Sequence, residues 1–252
     1  MLQKGIYMEL SPRNQEILYY LKEHSEVQID ELAAMFSVTA QTIRRDVNVL
    51  CEQGLARRVH GGLSLPANLT NTTYQFRREI EYDVKMAIAQ EVVKQIPEGS
   101  TVMLGIGTTM AYVAQFMIGM RALRVITNNL QVARALENSP NIEVYLSGGL
   151  MRCEHQDVVG NSTLRFFADF EADIGLVGCG SVTSQHSAME HEPQEAEISK
   201  AIIANARQNW LLADASKWGR FGSVKVGSLN DFARVFTNKT GLPSELSVHL
   251  IT

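Results

Sequence analysis

Two sets of side chains in this sequence have the types and spacing that molecular recognition requires. The first lies in "TAQTIRRDV" and in "LARRVHGG". It comprises Thr39, Gln41, Thr42, Arg44, Arg45, Arg57, Arg58 and His60. Glutamine and arginine carry donors in a geometry that matches base edges, whereas arginine and threonine also hold phosphate oxygens. Gln41 and Arg44 have the reach for base edges. Thr42, Arg45, Arg57 and Arg58 suit phosphates. The net charge of the chain is -4, yet between Ser37 and Leu65 the bases Arg44, Arg45, Arg57 and Arg58 outnumber the acids Asp46 and Glu52. Binding follows where charge sits, not its sum. For the arginine pair alone, a surface helix with Arg45 paired to Glu52 or Asp46 explains the pattern equally well.

The second set is suited to a small anion. "GIGTT" places Gly107, Thr108 and Thr109 between an apolar β-prone run and a helical one. Free N–H groups and hydroxyls at a helix start favour negative charge. Taken alone, the stretch fits a plain tight turn as well as a phosphate cradle, and it lacks the lysine of a P-loop. Asn128, the pair Gly148 and Gly149, Arg152, Asp214 and Lys217 follow later β-prone runs. Together they suit a phosphorylated polyol, its phosphate at Thr108 and Thr109 and its hydroxyls at Asn128 and carboxylates. Glu195 either belongs to a solvated ion-pair face with Glu197 and Lys200 or holds a ligand hydroxyl.

The elements that must position these residues are legible from periodicity. "PRNQEILYYLKEHSE" reads as a helix capped by Ser11, with Ile17, Leu18 and Leu21 on one face. "IDELAAMFSV" reads as a short helix burying Leu32, Ala33 and Phe36, with a break at Ser37-Val38. Thr39 caps a third helix, in which Ile43, Val47 and Leu50 face inward and which Gly54 ends. Two β-prone runs joined by Gly61-Gly62 then form a wing. This is a winged helix-turn-helix over residues 1–65, with a Pro/Asn/Thr-rich linker over 66–81. From residue 82 to 252, Val84, Ile88, Val92 and Ile96 open a series in which β-prone runs alternate with helical ones. That alternation predicts a doubly wound α/β domain with a mainly parallel sheet, binding ligands beyond the carboxyl ends of its strands.

"FSVTAQTIRRDVNVLCEQGLARRVHGG" resembles the N-terminal signature of the DeoR family of bacterial transcriptional regulators. "GIGTT", "VITNNLQVARAL", "LSGGLMR", "VVGNSTLRFF" and "LLADASKWGR" resemble that family's sensor domain, which shares its fold with ribose-5-phosphate isomerase and CoA transferases. The resemblance spans nearly the whole chain. It implies a sequence-specific regulator, most often a repressor, acting as a homodimer or homotetramer on an inverted-repeat DNA operator. It also implies control by a phosphorylated sugar or polyol, and "QTIRRDVN", "QIPEGST" and "VKVGSL" point within the family to glycerol 3-phosphate. Two positions depart from the family pattern: Gly105 and Asn238 stand where an aspartate is usual. The loop "SVTSQHSAMEHEPQEAE" also lacks the glycine usual before the next helix.

Composition narrows the alternatives. Hydrophobic residues at 45% and charged residues at 20% describe a globular chain. No apolar run approaches the roughly 20 residues of a membrane span, and residues 1–15 lack the apolar centre of a secretory leader, so a cytoplasmic location is expected. Three widely spaced cysteines, Cys51, Cys153 and Cys179, argue for a reducing compartment. His186, His191, Glu190 and Glu192 match no standard metal spacing and read as solvated loop residues. Neither metal nor cofactor is expected. The rival readings are an isomerase-like enzyme, with Asp214 and Lys217 as its acid–base pair, and a regulator that senses no small molecule.

Overall fold

Ser11 accepts a hydrogen bond from the Asn14 backbone N–H at 3.2 Å and thereby caps α1 (Pro12–His24). This computed structural model describes residues 10–24, 26–53, 55–59, 61–64, 74–219 and 222–251. The chain divides into two compact units, Met1–Thr72 and Thr73–Thr252.

In the first unit α1 is followed by β1 (Glu26–Gln28), α2 (Ile29–Met35), α3 (Ala40–Glu52), β2 (Arg57–Val59) and β3 (Gly62–Ser64). Ile17, Leu21, Leu32, Ile43, Leu50 and Leu63 are fully buried and form its core. Leu32 is buried as expected, but Ala33 and Phe36 are only half-buried. The break between α2 and α3 turns on Ser37, whose φ of 52° is left-handed. β1 pairs with β3, and β3 with β2, all antiparallel. The third strand of this wing, β1, has no signal in the sequence because it is only three residues long. Gly62 permits it: a Cβ there would lie 2.4 Å from the Val27 carbonyl oxygen. Gly54 lies outside the described residues; α3 ends at Glu52 with Gln53 as its cap.

The second unit opens with α4 (Tyr74–Glu79), a helix within the interval expected to be linker, and α5 (Tyr82–Lys94). Then come β4 (Thr101–Leu104), α6 (Thr108–Met117), β5 (Leu123–Thr127), α7 (Leu130–Leu136), β6 (Ile142–Leu146), β7 (Leu150–Arg152), β8 (Asp157–Val159), α8 (Asn161–Ala168) and β9 (Ala172–Val177). β10 (Ser181–Val182), β11 (Ser187–Glu190), α9 (Pro193–Ala204), β12 (Ala206–Leu212), β13 (Val224–Ser228), β14 (Arg234–Thr237) and β15 (Val248–Leu250) complete it. Seven strands form one parallel sheet in the order β15-β14-β12-β9-β4-β5-β6.

Alternation along each strand feeds two cores. Val102 and Leu104 pack with Ile88 of α5, Val113 of α6 and Val132 of α7 on one face. Met103 packs with Phe167 of α8 and Ile202 of α9 on the other. This is the doubly wound architecture expected. Chain order runs outward in both directions from β4 and β9, so the reversal lies between those two strands. In open sheets of this kind a crevice forms at that point, beyond the carboxyl ends. The small antiparallel sheet β10-β11-β13 and the hairpin β7-β8 are excursions beyond those ends.

Candidate functional site

The surface of α3 is built by its own capping and periodicity. Thr39 accepts from the Thr42 N–H at 3.2 Å, and the two threonine hydroxyls lie 3.0 Å apart. Ile43, Val47 and Leu50 turn inward, which leaves Gln41, Arg44 and Arg45 exposed and Thr42 half-buried. Asp46 is also buried, and Arg13 grips it with two bonds, Nε to Oδ2 at 2.7 Å and Nη2 to Oδ1 at 3.3 Å. The acid next to Arg45 is therefore committed to α1, and among the described residues Arg45 is paired with neither Asp46 nor Glu52. Arg57 and Arg58 are exposed on β2. Arg58 lies against Cys51, whose thiol pKa burial pushes up and Arg58 partly draws back. His60 lies outside the described residues.

In the second unit the strand ends converge as the sequence suggests, but several side chains do different work. Gly107 precedes α6 with φ 107°, a conformation that favours glycine, and the first turn of α6 starts at Thr108 and Thr109. Thr108 is buried and its hydroxyl donates to the Arg77 carbonyl oxygen at 3.4 Å. Asn128 is fully buried and commits an amide donor within the protein. Its Nδ2 donates to the Val158 carbonyl at 2.7 Å, while its Oδ1 is buried without a partner. The neighbouring Asn129 shapes the loop: its Nδ2 reaches the Gly107 carbonyl at 3.0 Å, and its Oδ1 caps α7. Gly149 is a packing position, since a Cβ there would lie 2.6 Å from the Thr163 hydroxyl, and the Gly148 carbonyl accepts from that hydroxyl at 3.0 Å.

A charged cluster lies beside these loops. Arg152 is not a free hand for a ligand. Its guanidinium makes a two-point pair with Asp157 at 2.8 and 2.7 Å and also reaches Glu192 at 2.8 Å and Glu195 at 3.4 Å. Glu195 is buried, away from the exposed Glu197 and Lys200, so it belongs to the cluster and not to a solvated ion-pair face. His155 Nδ1 lies 3.6 Å from Glu195 and 3.3 Å from Arg77 Nη2. Burial lowers the His155 pKa, with Arg152 and Arg77 adding to the effect, so the ring is held neutral. Asp214 accepts from the Ser216 N–H and hydroxyl, and caps the short turn that carries Lys217.

Asp157 and His155 escaped the sequence reading, and so did Glu190 and Arg77. Glu190, expected as a solvated loop residue, is buried on β11. Its carboxyl is pushed up to about 8 by burial, then by Glu195, against the pull of Lys217 and Arg77. The alternation of "SAME", with Ala188 and Glu190 inward, is the signal that would have found it. Arg77 sits on α4, inside the interval expected to be linker. Burial lowers its pKa, against the fields of Glu195, Glu190 and Asp157.

The two departures from the family pattern have local explanations. Asn238 Oδ1 accepts from the Ala215 N–H at 2.7 Å, an acceptor role that needs no charge. A Cβ at Gly105 would lie 3.1 Å from Ile202 Cδ1, so an aspartate there asks that terminal methyl to give by a few tenths of an ångström. Among the described residues no group of three or more His, Cys, Asp or Glu side chains is placed to hold a metal ion, and all three cysteines are unpaired. Open clefts of 390 and 790 Å³ lie at the opposite, amino ends of the strands, one lined by Pro97, Asp173 and Arg234 and the other by Arg121 and Glu143.

A winged helix-turn-helix with a basic exposed face, followed by a parallel-sheet unit with a charged cluster beyond its strand ends, defines a DNA-binding transcriptional regulator with a ligand-sensing domain. Residues 13–68 match the model of the DeoR-like helix-turn-helix domain, and residues 80–239 match that of the DeoR C terminal sensor domain. The chain belongs to the DeoR family. It is 38% identical over 231 residues to the glycerol-3-phosphate regulon repressor of Escherichia coli (strain K12), covering 92% of each chain. To the HTH-type transcriptional repressor CsqR of the same organism it is 37% identical over 229 residues, covering 91% of this chain and 88% of that one. Among solved structures, ribose 5-phosphate isomerase A from Methanocaldococcus jannaschii superposes with a TM-score of 0.41 at 16% identity over 55% of each chain. No helix among the described residues is long and apolar enough to cross a membrane.

Proposed function

We propose that this chain is a repressor whose hold on DNA is set by a phosphorylated sugar or polyol, with glycerol 3-phosphate the first candidate. Residues 1–65 read the operator, 82–252 bind the effector and 66–81 join the two. What supports the reading is the chemistry of the segments that follow the parallel strands: the Gly107-Thr108-Thr109 helix start after β4, the buried carboxylates Glu190 and Glu195 after β9, and Lys217 after β12, whose charge acts on Glu190. The helix start and Lys217 receive the phosphate. The carboxylates accept hydroxyls or, in Glu190's protonated form, donate to them.

A homo-oligomer presents two reading helices to an inverted repeat, because symmetric proteins read symmetric sites. Gln41 and Arg44 contact base edges, Thr42, Arg45, Arg57 and Arg58 set register on phosphates, and Thr39 and His60 belong to the same DNA-binding surface. A hundredfold release of DNA needs about 2.7 kcal/mol of coupling, within the usual range for allostery.

The test is a thermal-shift screen of small sugar phosphates, starting with glycerol 3-phosphate. A ligand at 100 times its Kd adds about 2.7 kcal/mol of stability. It is followed by gel shifts on a genomic fragment that the chain retains, with and without the stabilising ligand. No stabilisation by any phosphate would refute effector control. The rival is an isomerase, for which Asp214 and Lys217 would supply the proton-transfer groups. Turnover of ribose 5-phosphate at enzyme-like rates would favour it. The fusion to a DNA-reading unit supports a regulator that binds without turnover.

A further inference from the structure

α4 is six residues long, too short to hold a helical shape alone. Other groups hold it through its carbonyls. Lys85 Nζ donates to the carbonyls of Arg77 and, at 2.6 Å, of Ile80. Tyr112 Oη donates to the Arg78 carbonyl at 2.9 Å. The Thr108 hydroxyl donates to the Arg77 carbonyl at 3.4 Å. The start of α4 is pinned by the Tyr74 N–H on the Glu154 carbonyl at 2.8 Å. Its position is thus decided by contacts to the sensor, and one of them comes from the loop proposed to cradle phosphate.

Of the two arginines in the cluster, Arg77 has the fewer satisfied donors. Arg152 spends its fork on Asp157, Glu192 and Glu195. Arg77 Nη2 reaches His155, and its Nε is shut off from solvent with no hydrogen-bond partner. A guanidinium carries five donors, and leaving them unused inside a protein is costly. An oxyanion is the acceptor that its planar fork fits best.

We propose that Arg77 is an effector ligand and the residue through which effector occupancy reaches the DNA-reading unit. Its guanidinium binds the anion in the sensor crevice, and its carbonyl competes with that anion for the single Thr108 hydroxyl proton. A ligand oxygen that accepts the Thr108 hydroxyl hydrogen bond leaves the Arg77 carbonyl to Lys85 alone and draws the guanidinium toward itself. Both effects shift α4, the first element that follows β3 in the chain. The inference rests on the effector reading above and adds to it the element that carries the signal.

Hydrogen exchange on the full-length chain tests this, with separate arms for glycerol 3-phosphate, ribose 5-phosphate and inorganic phosphate. The expected result is slowed exchange at residues 105–109 together with changed exchange at 74–80 in the same arm. Protection at 105–109 with 74–80 unchanged overturns the role of Arg77 and leaves the effector pocket standing. If no arm protects 105–109, the pocket reading fails and this inference falls with it. In parallel, affinity for the protecting phosphate is measured with and without a genomic fragment that the wild-type chain retains. The two affinities should differ by about 5- to 150-fold in the wild type. The ratio should collapse toward one in Arg77→Gln and recover in part in Arg77→Lys. An unchanged ratio in Arg77→Gln refutes the proposal.

Discussion

Arg13 on the first helix and Asp46 on the reading helix are joined by a two-point ion pair, which engages the acid that follows Arg45 in α3. The pair ties α1 to α3, and among the described residues Arg45 has no ion-pair partner. Asp46→Asn should lower the stability of the reading unit by about 1–2 kcal/mol, less than a fully buried pair because Arg13 is partly in solvent. Urea unfolding followed by a probe in residues 10–64 measures this. A midpoint equal to wild type would mean that the pair contributes nothing.

Arg44 and Arg57 should fail in different ways. Arg44→Ala should cost about 1–3 kcal/mol and relax preference at one base position. Arg57→Ala should weaken all sequences alike and reduce the slope of log K against log salt by about one. Gel-shift titrations over a salt series, on retained and scrambled fragments, separate the two. Unaltered affinity in both variants would show that the reading surface lies elsewhere.

Lys217→Ala should remove the response to effector while sparing DNA retention, because Lys217 lies on a 3-10 turn of the sensor and its charge acts on Glu190 and Cys179. The check is release of a retained fragment by the stabilising phosphate. A wild-type dose–response in the variant would exclude Lys217 from the pocket.

Glu190 gives the sensor a pH dependence. The folded protein holds this proton up to about 8, whereas the unfolded chain loses it near 4.5. The folded state therefore binds more protons across that window, and stability falls as pH rises through it. Glu195, Lys217 and Arg77 act on the group, and the buried Cys179 thiol, itself raised, stays neutral beside it. His155, held neutral, works in the opposite sense below 6.5, where folding disfavours the proton that the unfolded chain takes up. Thermal midpoints from pH 5 to 9 should decline toward the alkaline end in the wild type and flatten there in Glu190→Gln. An anionic effector should also bind less tightly above about pH 8, once Glu190 is charged. Parallel curves for the two proteins would remove Glu190 as the source.

Much of this protein was determined by the sequence alone, and the reason is local. The cap at Thr39, the inward spacing of Ile43, Val47 and Leu50, and the alternation of apolar strands with amphipathic helices depend on neighbours within a few residues. They were enough for the winged helix, the parallel sheet and the glycine-led start of α6. Tertiary structure decided what the polar groups meet. The sequence could not tell that Asp46 is taken by Arg13, that Asn128 spends its amide on Val158, or that Arg152 is clamped by Asp157. Nor could it tell that Glu190 is buried beside Glu195, or that Arg77 on a short helix joins the same charged cluster. Each of these partners lies on a different element of the fold or across a loop. A polar side chain's role is set by the charges and acceptors that folding brings within a few ångströms, and periodicity along one segment carries no record of them.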